Sequence, residues 1–597
     1  MIVRLETLKK RGLVAMNKKN IRSYFLQFKK YQKPLEKYLF PVILLLLPFI
    51  GVNQGVDVTD TTYSLGNFQY QDSLDPMWML ATYIPNVLGH LMLQLPGAGT
   101  MLGMNIYATL PICFMALISY YMLQRWMPGW MLFIGEALAI SLCWCPRVIL
   151  YNYLTYVFFT LGAITLLYAV TAWKHQSLKF VLAGFFLGLN VMVRFPNLAE
   201  AALILVVWFY GYLAKKPFMS VVKETLICIG GYLIGVAVPF IAIVADFGVD
   251  GYVQSIQSLF GMTATASDYT MAGMLMSIIG AYISSIKNML IMIPCIVMGI
   301  LMFMLKPEKY VWIKKCLYFA GLLILIKFFF AEGVFTRNYY YYDSMFEVAQ
   351  MFVIFTIIFA LLGIAGILNG SIEERVISLA ILVIILITPL GSNNYTFPVI
   401  NNLFLVAPYG LWLFRRTMQR MGEKDVNFPW QAMVTMVIVV LVIQGNLFHL
   451  NYSFVDGADG TVRDSKVGNI AKVSAMTTTA DNAEALSSLY DYLSEEGLLD
   501  EKAIFFGKNA PGLAYILDLE PTLFSLWPDL DSNTIEKFES SLIESMEEMP
   551  IVIVSPDIDG EVSGEAKLEL LVDYMNSRHY NKVFENDKYI VYISPEM

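Results

Sequence analysis

The sequence has little charge, few histidines and no disulfide pattern. Only 15% of its 597 residues are Asp, Glu, Lys or Arg, 57% are hydrophobic, and mean hydropathy is +0.59. So little charge excludes an ordinary soluble protein and indicates an integral membrane protein. The six cysteines (Cys113, Cys143, Cys145, Cys228, Cys295, Cys316) all lie in or beside apolar runs, which excludes a disulfide framework and zinc spacing. Cys143 and Cys145 point to different helix faces and read as apolar packing. A basic stretch from Lys9 to Lys37 precedes the first apolar run, and no small-residue cleavage site follows it. The start does not look like a cleavable signal peptide, and the first helix is expected to be an anchor with its N terminus in the cytoplasm.

Charge is also unevenly placed. Up to Leu450 basic residues exceed acidic ones by about 11, and beyond it acids lead by about 18, giving the net −7. The division predicts a basic cytoplasmic segment, 1–37, a transmembrane domain, 38–449, and an acidic extracytoplasmic α/β domain, 450–597. Strong negative charge on the last part argues against nucleic acid as a partner.

Apolar spans predict about 13 crossings. The first, 38–52, precedes a long outer loop, 53–100, whose amphipathic stretch 78–95 lies along the membrane surface. The others fall near 101–123, 130–146, 151–172, 179–193, 198–213, 222–245, 289–305, 316–332, 346–368, 375–390, 402–414 and 430–448. Cytoplasmic loops collect Lys and Arg, so alternate loops carrying about 26 cations mark the inside. The expected location is the plasma membrane, with the C-terminal domain outside.

Four cations fall on the other side: Arg147, Arg194, Lys287 and Arg337. A cation held there against the bias is a candidate for holding an anion. Outer loops also carry Arg337-Asn338-Tyr339-Tyr340-Tyr341-Tyr342-Asp343, Gly391-Ser392-Asn393-Asn394-Tyr395-Thr396-Phe397-Pro398, and Tyr151-Asn152-Tyr153. Asn and Tyr suit sugar hydroxyls and ring faces, which makes Asn152, Tyr340, Asn393 and Asn394 substrate-binding candidates. The plainer reading of the tyrosines is an aromatic belt at headgroup depth.

In the C-terminal part the patterns predict helices over 481–498, 532–548 and 563–577. Strands are expected at 503–507 and 551–555, with a hairpin of 583–584 and 589–593 around Asn586-Asp587. Strands interleaved with helices make a small α/β sandwich, read as a cover or recognition module over the outer face. Asp557, Asp559 and Glu561 read as a solvated acidic turn.

Just after the first crossing comes Asp57-Val58-Thr59-Asp60-Thr61-Thr62-Tyr63. A carboxylate shielded at the membrane surface has its pKa raised and suits a general base. The bland reading of Asp60 is a helix N-cap or a solvated loop acid. A first helix, a long outer loop with an early acid, surface helices, many crossings and an extracytoplasmic C-terminal domain together resemble the GT-C glycosyltransferases that use polyprenyl-phosphate sugars. Asp60-Thr61-Thr62-Tyr63 is similar to that family's Asp-small-small-Tyr. Thr61 stands where a second acid is usual, so both Asp60 and Asp57 remain candidates for the base.

The resemblance implies inverting transfer of a hexosyl or pentosyl group from a polyprenyl-phosphate donor to a glycan, lipid or protein hydroxyl. Arg194, Arg337, Arg147 and Lys287 would meet the lipid phosphate, Tyr63 would contact substrate, and no metal or other cofactor would be needed. Glu136, Glu200, Glu347 and Lys327 inside spans support a rival reading, a transporter or flippase. A second rival is an inactive relative that binds a glycan or lipid. No internal repeat supports a transporter, and the polar residues gather at one surface.

Overall fold

A computed structural model describes residues 32–171, 174–264, 270–290, 309–331, 346–392, 394–423, 430–458 and 460–596. The chain is mostly helical, with one small sheet near its C-terminal end. Among the described residues six helices are long and apolar enough to cross a membrane: Met101–Leu123, Leu150–Thr171, Phe195–Leu213, Phe218–Leu259, Phe346–Ile364 and Val434–Asn451. Gly129–Ser141, Gln176–Val191 and Met271–Lys287 are shorter apolar helices. The expected crossing at 289–305 lies almost wholly outside the described residues.

Several boundaries differ from the sequence reading for local reasons. The stretch 78–95 forms two helices, Pro76–Ala81 and Tyr83–Leu93, because Thr82 leaves helical geometry at φ −136° and ψ 57°. Phe195–Ile204 is a tight 3-10 helix, with Pro196 in its first turn, before an α-helix over Leu205–Leu213. The run expected to end at 245 continues to Ala264, bent at Gly248, whose φ of 73° suits glycine.

Close helix contact in this region comes from glycine. A Cβ on Gly184 or Gly188 would strike the backbone of Cys228 or Tyr232, and one on Gly231 or Gly235 the backbone of Val181 or Phe185. Two glycine pairs at i, i+4 therefore face each other, so Gln176–Val191 and Phe218–Ala264 touch through their main chains. Without a hydrophobic drive between helices in lipid, such packing holds the pair together and fixes the loop that follows Val191.

The sheet has four strands, β1 (Ala503–Phe506), β2 (Ile551–Val554), β3 (Asn581–Glu585) and β4 (Ile590–Ile593), in the order β1-β2-β4-β3. β1 and β2 are parallel, and the β3–β4 hairpin adds antiparallel to β2. Helices Ala480–Glu495, Ile535–Glu544 and Gly564–Ser577 match the expected pattern, and a short helix, Leu513–Leu517, was not anticipated.

The first outer loop packs into this sheet's core. Val56, Val58, Leu65 and Phe68 share one buried cluster with Leu486, Phe505, Leu513 and Tyr589. Main-chain bonds stitch the two stretches: Gly55 N–H to Thr477 O at 2.8 Å, Thr477 N–H to Asn53 O at 2.9 Å, and Gly512 N–H to Val58 O at 2.9 Å. Asp456 strengthens the join. It accepts from Val56 N–H at 3.1 Å, pairs with Arg463 at 3.3 Å, and is bonded by Thr478 and Asn482, all of them buried. The acid-bearing segment is thus clamped from both directions.

Candidate active site

Asp57 and Asp60 stand at the start of helix Asp60–Gln69, and their surroundings separate their roles. The Asp57 carboxylate accepts Thr59 N–H at 3.0 Å, Thr59 Oγ1–H at 2.9 Å and Thr61 N–H at 2.7 Å. Thr62 Oγ1 donates to its carbonyl at 2.7 Å. The first N–H groups of a helix have no partner within it, and Asp57 supplies one. It is 2% exposed, and burial pushes its pKa up to about 6 despite those donors.

Asp60 lies in the first turn, partly buried, and among the described residues no donor reaches its carboxylate. Burial raises it first, then the charges of Asp57 and Asp559, to about 7. Tyr63, one helical turn on, shares its face and meets the Trp527 ring edge-on at 5.6 Å. Trp527 Nε1–H donates to Asp559 Oδ2 at 3.1 Å, and Lys508 Nζ is 3.8 Å from Asp559 Oδ1. Residues from opposite ends of the chain therefore meet beside Asp60.

On the other side of Asp57 is a small cavity, open to solvent, whose polar lining includes Asp57, Thr61, Arg147, Gln54, Asn105 and His449. Arg147 Nη2 donates to Pro48 O at 3.2 Å and Ile50 O at 2.7 Å, and Nη1 to Gly51 O at 3.4 Å. The guanidinium thus caps the carbonyl end of the helical run 35–49, and among the described residues two of its five N–H donors have no bond of this kind. Asn152 Nδ2–H reaches Cys145 Sγ at 3.4 Å, and Cys145 lines the same cavity.

The remaining sequence candidates are placed elsewhere. Arg194 precedes the 3-10 helix, donates to Leu390 O at 3.4 Å, and holds its Nε buried without a partner. Near it, Glu200 accepts from Asn190 at 2.7 Å. Lys287 is exposed near the end of Met271–Met289. Asn394 is exposed, its N–H bonded to Ser392 Oγ at 3.1 Å. Arg337, Tyr340 and Asn393 lie outside the described residues. Of the sequence candidates, Asp57 and Arg147 line this cavity; Asp60 and Tyr63 follow Asp57 on the helix that starts beside it, Asn152 reaches the lining residue Cys145, and Arg194, Lys287 and Asn394 are not in the lining.

Asp559, Lys508 and Trp527 were not singled out as site residues by the sequence. The one available signal is Trp527-Pro528-Asp529, an aromatic beside acids in the acidic half. Among the described residues no group of three or more His, Cys, Asp or Glu is arranged to hold a metal ion.

No protein-family model and no curated protein matches the chain. Among solved structures it is similar to ArnT from Cupriavidus metallidurans bound to undecaprenyl phosphate: 9% identity, TM-score 0.46, covering 93% of this chain and 97% of that one. It is also similar to the Archaeoglobus fulgidus oligosaccharyltransferase tethered to an acceptor peptide, at 11% identity and TM-score 0.45, covering 95% of this chain and 74% of that one. The same archaeal enzyme, AglB, with an inhibitory peptide and a dolichol-phosphate, gives 12% identity and TM-score 0.42, over 94% and 75% of the two chains. At these identities and scores, what the chain does has to be argued from its own residues.

Proposed function

We propose that the protein is an inverting glycosyltransferase that moves a sugar from a polyprenyl-phosphate donor to an acceptor hydroxyl at the outer face of the membrane. The observation that carries this reading is the contrast between the two acids. Asp57 is occupied as a helix cap, whereas Asp60 keeps a partly buried carboxylate with no hydrogen-bond donor on it among the described residues, its pKa near neutral. That is the condition of a general base working near pH 7.

In this scheme Asp60 takes the proton of the acceptor hydroxyl. The oxygen attacks the anomeric carbon, the bond from that carbon to the phosphate oxygen breaks, and polyprenyl phosphate departs with the electron pair. Arg147 supports the leaving phosphate from the adjoining cavity through its remaining N–H donors. Tyr63 and Asn152 contact the sugar or acceptor. The N terminus is cytoplasmic, and residues 450–597 cover the site from outside.

The test is incubation of the purified full-length protein with a panel of polyprenyl-phosphate sugars and hydroxyl acceptors. Release of free polyprenyl phosphate, with the product anomer inverted, supports the reading. Absence of release for every donor, with a solute crossing proteoliposomes instead, replaces it with transport.

A further inference from the structure

Helix Asp60–Gln69 keeps one stripe of its surface partly open. Asp60, Tyr63, Ser64 and Asn67 are half-buried, whereas Thr61, Thr62, Leu65, Gly66 and Phe68 are buried. Steps of three and four residues place the open positions on one face. The Arg147 cavity touches the start of this helix, through Asp57 and Thr61. The open face leads the other way, and seven residues of helical rise separate Asp60 from Asn67 by about 10 Å. There Asn67 lines a second small cavity with Gln71, Leu74, Trp78, Met79 and Asn86.

This cavity is built between the acid helix and the two surface helices. Gly89 lies directly on Phe68, since a Cβ there would meet the Phe68 ring at 2.5 Å, and His90 Nδ1 is 2.9 Å from the Phe68 carbonyl. Asn86 Nδ2–H donates to the Trp78 and Met79 carbonyls, each at 3.1 Å, which holds Trp78 just before the break at Thr82. The C-terminal half secures the same turn. Asp75 N–H donates to Phe524 O at 3.0 Å, Lys537 Nζ pairs with Asp75 at 2.8 Å, and Ser73 Oγ–H donates to Glu520 Oε1 at 3.1 Å. The walls are therefore preorganised, which lowers the cost of binding.

Two polar atoms of these residues are buried and unpartnered among the described residues: Trp78 Nε1–H, a donor, and Gln71 Oε1, an acceptor. Such groups have given up water for no hydrogen bond in return, which costs stability. A hydroxyl serves both kinds through one oxygen, because it donates one hydrogen and accepts at its lone pairs. A trans peptide amide presents its N–H and C=O on opposite edges of a rigid plane, so a cavity this small does not meet both. A phosphate accepts and leaves Gln71 unmet.

We propose that this cavity is a sugar subsite: it takes a hydroxyl of a glycan or glycolipid acceptor lying along the open face of helix Asp60–Gln69, with Trp78 donating to it and Gln71 accepting from it. The proposal rests on the glycosyl-transfer reading above and narrows the acceptor to a molecule that itself carries sugar. With the leaving phosphate at the start of the helix and the acceptor anchored past its end, the attacking hydroxyl falls between them, beside Asp60.

Binding is read by fluorine NMR on the full-length protein carrying fluorotryptophan, with Trp78→Phe identifying the Trp78 signal. The probes are methyl glycosides of glucose, galactose and N-acetylglucosamine, beside glycerol, inorganic phosphate and N-acetylglycinamide. A saturable shift of the Trp78 signal by at least one glycoside, with affinity roughly tenfold weaker in Gln71→Met, is the expected result. No shift with any glycoside, an affinity unchanged in Gln71→Met, or an equal shift with glycerol overturns the proposal. A shift with N-acetylglycinamide or phosphate alone also overturns it and assigns the cavity to a peptide or an anion. Turnover gives a second readout: Trp78→Phe keeps an aromatic ring and loses the N–H, so KM for a glycan acceptor should rise roughly tenfold with kcat near the wild-type value. A fall in kcat with KM unchanged contradicts a binding role. If wild type releases polyprenyl phosphate from no donor, the glycosyl-transfer reading fails, and the fluorine signal still decides whether the cavity binds sugar.

Discussion

The N–H of Gly512 donates to the carbonyl of Val58 at 2.9 Å, joining residues one before a C-terminal helix and one after the buried Asp57. This contact ties the acid segment to the C-terminal half. A Cβ at Gly512 would collide with Thr62 Oγ1 and come within 2.6 Å of the Val58 carbonyl. Gly512→Ala is therefore expected to cost about 1–3 kcal/mol, as overpacking does, and to lower activity and Tm together. Thermal unfolding alongside donor turnover checks it; unchanged Tm would mean that the seam yields freely.

Asp57 is expected to matter for stability. Asp57→Ala removes the acceptor for two N–H groups and the Thr59 hydroxyl, and losing such a cap costs about 0.5–2 kcal/mol. Denaturant unfolding should register the loss, and Asp57→Asn, which keeps one acceptor oxygen, should recover part of it. An Asp57→Ala protein as stable as wild type contradicts the capping role.

The Asp456–Arg463 pair predicts a larger effect. Both side chains are buried, with 0% and 1% of their surfaces exposed. Removing one partner leaves the other as an uncompensated buried charge, at about 3–5 kcal/mol. Arg463→Ala should therefore lower Tm more than Asp57→Ala does, and free the Gly55–Thr477 seam to limited proteolysis.

The pH dependence follows from Asp60. Its folded pKa is raised to about 7, above the ordinary value of 3.8, so its contribution to stability is fully present below about pH 4 and is lost as pH rises through 7. Asp60→Asn should remove that loss, leaving the variant more stable than wild type at pH 8 and similar at pH 4. Activity runs the other way, because the base must be ionised: the rate should fall about tenfold per pH unit below 7. Paired unfolding and turnover curves across pH 4–9 test both signs.

Much of this architecture was legible in the sequence where the pattern was local. The strands over 503–506 and 551–554 are short buried apolar runs, and helix Gly564–Ser577 follows a 3.6-residue period. Leu513–Leu517 was missed because Gly507, Pro511 and Gly512 read as loop before it. The facing glycines 184, 188, 231 and 235 are visible as two Gly-x-x-x-Gly repeats, but only the fold shows that they meet.

In the site, the early acids and the outward Arg147 stood out by position. That Asp57 caps a helix and Asp60 does not depends on a difference of three residues at a helix start, which sequence boundaries do not resolve. Asp559 was unreadable because its partners Trp527 and Lys508 only come together through the sheet, and Tyr63 through the docking of the two halves.

The most direct test of the account is release of polyprenyl phosphate by Asp60→Asn at pH 8, with donor binding measured on the same sample. Binding near the wild-type level with release reduced at least ~100-fold is the predicted result. Release at the wild-type rate would contradict the assignment of Asp60 as the base.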